Sequence, residues 1–228
     1  MKQKRRMLIL LSIQVLTLFL LYRYKNIILK YLPLIDRAGL NKRKIHKFDT
    51  PKIGGLILYI CVAEFFILQK FLFNTIFFDG MFFLFLTSIF IIGLLDDIFN
   101  LNANLKLILM GLIIFFFIGK IDYLQITFLN IESIDRHFYL GRYSNFFITL
   151  CFLLAINAYN MSDGIDGLFL TLSSIIFLYL VLSVKADIFL FAILFLVLCL
   201  FFLNINKKIF MGDSGVFVIV CIFSTLII

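Results

Sequence analysis

Three stretches of this chain, Met81 to Leu95, Leu168 to Val184 and Ile188 to Leu203, hold no charged side chain. Segments this apolar on every face have no side to turn to water, so a water-soluble core is excluded. A helix crossing the hydrocarbon core of a bilayer needs about 20 mainly apolar residues, fewer where flanking side chains snorkel. On that measure the chain divides into segments near 7–22, 53–69, 80–95, 103–119, 144–160, 167–184 and 188–204, with a shorter one at the end. The expected fold is all-α: a polytopic transmembrane helical bundle of about seven full spans plus a partial eighth, in a single membrane-embedded domain over 1–228.

Two prolines and twelve glycines are too few for a disordered or low-complexity chain. Cys61, Cys151, Cys199 and Cys221 lie in apolar runs without CxxC spacing, so they read as packed thiols with neither disulfide nor metal implied. The start, Met1 to Arg6 followed by an apolar stretch, imitates a signal peptide. No small-residue cleavage site follows, so an uncleaved first span is expected.

The net charge of +8 is not a nucleic-acid footprint. It is concentrated in one loop carrying Arg23, Lys25, Lys30, Arg37, Lys42, Arg43, Lys44, Lys47 and Lys52, against Lys2, Lys4, Arg5 and Arg6 before the first span. Excess cations mark cytoplasmic loops, so this loop is placed inside and the N-terminus outside. Alternating the spans puts 70–79, 120–143 and 185–187 outside, and 96–102, 160–167 and 204–214 inside. The alternation of Ile121, Tyr123, Leu124, Ile126 and Phe128 in the second outer loop predicts a short hairpin.

Five carboxylates then share the inner face. Asp96 and Asp97 end the third span, and neighbouring anions in a partly dry place need a proton, a metal or a partner. Asn157 to Leu168 adds Asn157, Asn160, Asp163 and Asp166 around Gly164 and Gly167, a polar island that predicts a break in the helix. A polar cluster at a membrane edge is costly and reads as a functional site, its oxygens suited to a hard cation. Lys207 to Gly215 sets Asp213 in a glycine turn beside cations, where backbone N–H groups can meet phosphate and a carboxylate can meet Mg2+; the bland reading is a loop capping the next helix through Asp213 or Ser214. Lys106 reads either as part of this chemistry or as a snorkelling lysine. Glu64, inside a span, needs a partner that the sequence does not name. Clustered acids, amides, glycines and scattered lysines point to Mg2+-assisted phosphate chemistry.

These motifs, in this order and spacing, resemble the polyprenyl-phosphate N-acetylhexosamine-1-phosphate transferases. The resemblance runs from Asp36 to Gly215, through D-x-x-x-x-N-x-R-K-x-H at Asp36 to His46, Pro51 and Gly54-Gly55, Gly93 to Asp97, Asn157 to Leu168, and Phe210 to Gly215. It implies transfer of a sugar-1-phosphate from a UDP-N-acetylhexosamine to undecaprenyl phosphate, with release of UMP. It implies Mg2+ as cofactor (Mn2+ in its place), held by Asn160 and Asp213. Asp96 and Asp97 would deprotonate or position the acceptor phosphate or support the metal. Asp163, which the resemblance groups with the catalytic carboxylates, would hold the uridine end with Gly164 and Asp166. Phe210 would stack on uracil, Lys106 would contact the diphosphate, and Asn157 and His46 would complete substrate binding. The implied setting is the bacterial inner membrane, multi-pass, with the site on the cytoplasmic face and membrane lipid around it. No nucleic acid is implied, and a homodimer is left open.

Asn41 to His46 resembles the N-acetylglucosamine-1-phosphate branch of cell-envelope glycan synthesis, while Thr50 to Gly55 keeps part of the pattern of the phospho-N-acetylmuramoyl-pentapeptide branch. Where some members have a third acid after the Asp pair, this chain has Asn100. Members continue for further spans and a His- and Arg-bearing loop, whereas 13 mainly apolar residues follow Gly215 here, so the chain reads as C-terminally truncated. The rival readings are an inactive remnant and a transporter. A transporter predicts carboxylates deep within spans; here, Glu64 apart, they gather at span ends.

Overall fold

The computed structural model describes residues 2–36, 50–73, 79–131, 136–183 and 188–228. Helix α1 (Lys2–Arg23) is followed by a short α2 (Lys25–Tyr31). Strands β1 (Ile35–Asp36) and β2 (Thr50–Pro51) pair antiparallel and lead into α3 (Gly54–Phe73). Then come α4 (Gly80–Phe99) and α5 (Ala103–Ile118), a hairpin of β3 (Phe128–Ile131) and β4 (Arg136–Tyr139), α6 (Ser144–Ser162), α7 (Leu168–Ser183), α8 (Ile188–Ile205) and α9 (Gly212–Ile227). The protein is a helical membrane bundle, as the apolar runs predict.

The span count is refined. Arg5–Arg23, Gly80–Phe99, Gly141–Ser162 and Ile188–Ile205 are long and apolar enough to cross a bilayer. Gly54–Gln69, Ala103–Ile118, Leu168–Ser183 and Gly212–Ile227 are shorter apolar helices. At 1.5 Å per residue a 16-residue helix such as α5 or α7 reaches only about 24 Å, short of a core of about 30 Å. The shortfall has local causes. The side chain of Asn102 accepts from the Asn104 amide and fixes where α5 begins, and Gly119 ends it. At α7 the glycine turn before Leu168 takes Gly167, which the hydropathy alone assigned to the span.

The hairpin lies further along than the alternation predicts. Residues 122–124 form a single 3-10 turn, and the ladder pairs Phe128 with Tyr139 and Leu129 with Phe138.

The last helix is the largest difference. Read as a partial span, α9 is indeed a short apolar helix, and it lies at the centre of the bundle, packed against α3, α4, α6 and α7. Every residue from Val216 to Phe223 is buried. Its face toward α6 carries Phe223 against Tyr159, ring centroids 4.9 Å apart. A helix apolar all round suits such a place as well as it suits lipid.

Glycines set how closely the neighbours approach. A Cβ on Gly93 of α4 would lie 2.5 Å from the Cα of Ser214, and one on Gly55 of α3 would overlap the backbone nitrogen of Gly215. The starts of α3 and α9 and the end of α4 therefore meet backbone to backbone. The Gly54 and Gly55 amides donate to the carbonyls of Phe210 and Met211, both at 2.9 Å. This junction positions the acidic clusters. Halfway along α3, Glu64 finds a partner on α1: the Thr17 hydroxyl donates to it at 2.6 Å.

Candidate active site

Asp96 and Asp97 lie in the last turn of α4. The chain then turns back within three residues, because Asn100 takes a left-handed conformation (φ 50°) and its amide donates to the Asp96 carbonyl. This tight return sets Lys106, one turn into α5, against the end of α4. Its ammonium lies 2.6 Å from Asp96 Oδ2 and 2.7 Å from Asp213 Oδ2. The lysine is thus held between two carboxylates rather than reaching for the surface, and the snorkelling alternative is set aside.

Asp97 has a different task. Its two oxygens accept from the Asp213 and Ser214 amides, each at 3.0 Å, and from the Ser214 hydroxyl at 2.7 Å. A carboxylate from α4 therefore caps the N-terminus of α9, where orphan N–H groups and the helix dipole favour an anion. The capping alternative, through Asp213 or Ser214, is corrected: neither side chain caps α9, and the acceptor comes from Asp97, 116 residues away from Asp213. Gly212 makes room for it: its φ is +69°, and a Cβ there would sit 2.6 Å from Asp97 Oδ2. Lys52, just before α3, lies 3.5 Å from Asp97 Oδ1.

The break after α6 forms as predicted, in residues 163–167. Gly167 turns it (φ +77°), and its amide donates to Asn204 Oδ1 at 2.8 Å. Gly164 does not serve the same end: its φ is ordinary, and a Cβ there would make only normal contact with the Met161 carbonyl. Asp163 faces the junction. Burial, then the nearby Asp213 and Asp97 charges, push its carboxyl well above the usual carboxylate range; Lys52 and the Gly212 N–H act in the opposite sense and are outweighed.

The remaining predicted residues divide. Asn160 joins the site, its Nδ2 3.5 Å from Asp213 Oδ2. Asn157, one turn earlier, donates Nδ2 to the Leu153 carbonyl of its own helix at 2.9 Å. Asp166 pairs with Lys207 at 3.3 Å. Phe210 is buried, its amide donating to the Pro51 carbonyl at 2.8 Å. His46, with Asn41 to Ile45, lies outside the described residues.

Three contributors escaped the sequence reading. Lys52 was one cation among nine in the basic loop. Ser214 was named only as a capping candidate. Asn204, 3% exposed, was not singled out at all. Its amide also donates to the Ile209 carbonyl at 3.1 Å, tying the end of α8 to both the glycine turn and the approach to α9. Its only signal is an amide ending an otherwise apolar run.

Among the described residues, Asp96, Asp97 and Asp213 thus meet the ammonium groups of Lys52 and Lys106 at one end of the bundle, leaving a negative charge that a divalent cation would offset. Among the described residues no three His, Cys, Asp or Glu side chains form a ready-made cage. The donor set still fits Mg2+, which usually takes one or two carboxylates and fills its octahedron with phosphates and water. Asp213 Oδ2 accepts from the Lys106 ammonium at 2.7 Å and lies 3.5 Å from Asn160 Nδ2, so a carboxylate and an amide stand together where a cation would be held. Asn160 can turn its amide to present oxygen, since the two orientations differ only in assignment.

Residues 80–228 match glycosyl transferase family 4. The chain belongs to this family. The matched segment holds the whole acidic site apart from Lys52. Among curated relatives, the chain is 26% identical over 208 residues to the undecaprenyl-phosphate alpha-N-acetylglucosaminyl 1-phosphate transferase of Thermotoga maritima, covering 91% of this chain and 60% of that protein. It is 31% identical over 198 residues to the phospho-N-acetylmuramoyl-pentapeptide-transferase of Prochlorococcus marinus, covering 75% of this chain and 52% of the relative. The protein of that name from Bacillus mycoides is also 31% identical, with 74% and 57% covered. The chain therefore spans between half and three-fifths of the length of these relatives.

Proposed function

We propose that this family 4 chain carries the site of a phosphosugar transferase that moves N-acetylglucosamine-1-phosphate from its UDP derivative to undecaprenyl phosphate. The observation that carries the reading is the ammonium of Lys106 held between Asp96 and Asp213, with Asn160 at the same oxygen. A cation-and-carboxylate cluster at the end of lipid-facing helices suits a charged diphosphate meeting a lipid-borne phosphate.

In the proposed step an oxygen of the lipid phosphate attacks the β-phosphorus of the donor. A new phosphoanhydride bond forms, the α–β bond breaks, and UMP leaves. Asp213 and Asn160 would hold Mg2+, which supplies neutralisation of the diphosphate when bound. Lys106 turns from its carboxylates to the donor phosphates. Asp163 would act as base when ionised, taking the proton of a monoprotonated acceptor phosphate. Asp96, accepting from the Leu101 amide at 2.8 Å, holds Lys106 in place. Asp97 positions Asp213 through the α9 cap and is not the base. Asp166 and Lys207 mark the uridine end. The site would face the cytoplasm of the inner membrane, on the strength of the excess of cations in the sequence between residues 23 and 52.

N-acetylglucosamine is preferred as the sugar because the Thermotoga relative aligns over more of the chain. The higher identity to the pentapeptide transferases supports the second reading, a UDP-N-acetylmuramoyl-pentapeptide donor. Membranes containing the protein, given undecaprenyl phosphate, Mg2+ and either labelled donor, decide between them. Label is expected in the lipid fraction from UDP-N-acetylglucosamine, and not after Asp213→Asn. Label from the pentapeptide donor alone would overturn the sugar assignment, and turnover unchanged by Asp213→Asn would overturn the site.

A further inference from the structure

The end of the bundle opposite the acidic site carries exposed rings. Phe128 and Tyr139 face one another across the β3–β4 ladder, centroids 5.0 Å apart. Facing residues share one side of a ladder and successive residues alternate, so Leu129 and Phe138 lie on the other side. Both sides therefore carry apolar residues at the helix end of the ladder, while Asn130 pairs with His137 and Ile131 with Arg136 toward its tip. Both sides are open: Phe128 is 56% exposed, Phe138 45% and Tyr139 71%. An isolated two-stranded hairpin is marginally stable at best in water.

The hairpin is fixed at one level. Leu140 donates its amide to the Thr127 carbonyl at 2.9 Å, and the Ser144 hydroxyl, at the first residue of α6, donates to the Ile126 carbonyl. Tyr143 and Phe146 continue the ring surface onto α6, and Phe115 and Phe116 continue it onto the last turn of α5; all four are half or more exposed. Exposed apolar side chains run on from these rings along α5 through Leu112 and along α6 through Leu150 and Leu154, sides suited to lipid. Rings of this kind settle at the headgroup level of a bilayer, where an apolar body and a polar tip are both accommodated.

We infer that the β3–β4 hairpin and the adjoining helix ends form an aromatic anchor lying in the headgroup–acyl boundary of the leaflet opposite the acidic site. It is a lipid-binding surface rather than an aqueous loop, and it fixes the depth of α5 and α6. Lys106 and Asn160 stand at the other ends of these two helices, so the anchor sets how far the site sits from the membrane surface.

The chain contains no tryptophan, so one introduced ring reports alone. Tyr139→Trp and Phe138→Trp, on opposite faces of the hairpin, are each reconstituted in phosphatidylcholine–phosphatidylglycerol vesicles, with Lys208→Trp in the exposed turn after α8 as reference. For both hairpin variants the expected result is blue-shifted emission, most of it lost when acyl-brominated lipid replaces ordinary lipid, and protection from aqueous iodide relative to Lys208→Trp. Red-shifted emission quenched by iodide and untouched by brominated lipid would overturn the proposal. So would emission shielded from both quenchers that becomes accessible on dilution in lipid, which would assign the surface to a second copy of the chain. Using both faces keeps the test decisive if one variant fails to fold.

Discussion

Asp97 on α4 accepts both the amide and the hydroxyl of Ser214 on α9, at 3.0 and 2.7 Å. This contact joins the two helices that carry the acidic residues, and it assigns one member of the Asp pair to architecture. Replacing Asp97 by Ala leaves buried donors at the α9 terminus without an acceptor, which costs about 1–3 kcal/mol. Asp97→Asn keeps one carbonyl oxygen and loses less. Thermal unfolding in detergent should rank wild type above Asn above Ala. An Ala variant as stable as wild type would remove the capping role.

The glycine junction makes a sharper contrast. Gly93→Ala places a methyl against the Ser214 backbone, where nothing flexible can yield, and overpacking of this kind costs about 1–3 kcal/mol or more. Gly80→Ala, with no neighbour within 4 Å at the start of α4, should be neutral or slightly stabilising. Paired melting curves test both. Equal midpoints for the two variants would show that the helices can part without loss.

Lys106 neutralises Asp96 and Asp213 from between them. Lys106→Met leaves two facing carboxylates, so the variant should unfold earlier in EDTA and recover more on addition of Mg2+ than wild type does. Its transfer activity should stay low in either case, because the donor phosphates lose their ammonium. A Mg2+-induced shift in melting no larger than that of wild type would place the divalent cation elsewhere.

Asp163 gives a pH dependence of known sign. Its folded-state pKa lies above the unfolded value of about 3.9, so the folded protein holds the extra proton. This contribution to stability is fully present below the unfolded pKa and is lost as pH rises through the folded one. Without metal, wild type should therefore melt lower in mildly alkaline than in mildly acidic buffer. Asp163→Asn should flatten that trend and melt higher than wild type on the alkaline side. An unchanged slope would remove Asp163 from the buried cluster.

The convergence of Asp96, Asp163 and Asp213 was legible because apolar spans alternate direction, and counting them places loops on one side or the other. The break at Gly167 was legible because a glycine-rich polar island cannot continue a membrane helix. The division of labour within the Asp pair was not. Which of two adjacent carboxylates caps α9 depends on the positive φ of Gly212 and on backbone contact through Gly55 and Gly93, neither of which leaves a periodic trace. Lys52 could not be told from the other cations of its loop, since each suits a membrane surface equally. The centrality of α9 was hidden by length: a short apolar run is read as an incomplete span, whereas burial on all sides follows only from its neighbours.

The central claim is that the β-phosphorus of a UDP-sugar is attacked at the Lys106–Asp213 site. Supplying UDP-N-acetylglucosamine labelled at the β-phosphate, with undecaprenyl phosphate and Mg2+, distinguishes this step from ordinary glycosyl transfer. The account predicts label in the lipid product and UMP in the aqueous phase, both lost in Asp213→Asn. Release of labelled UDP with an unlabelled lipid product would contradict it.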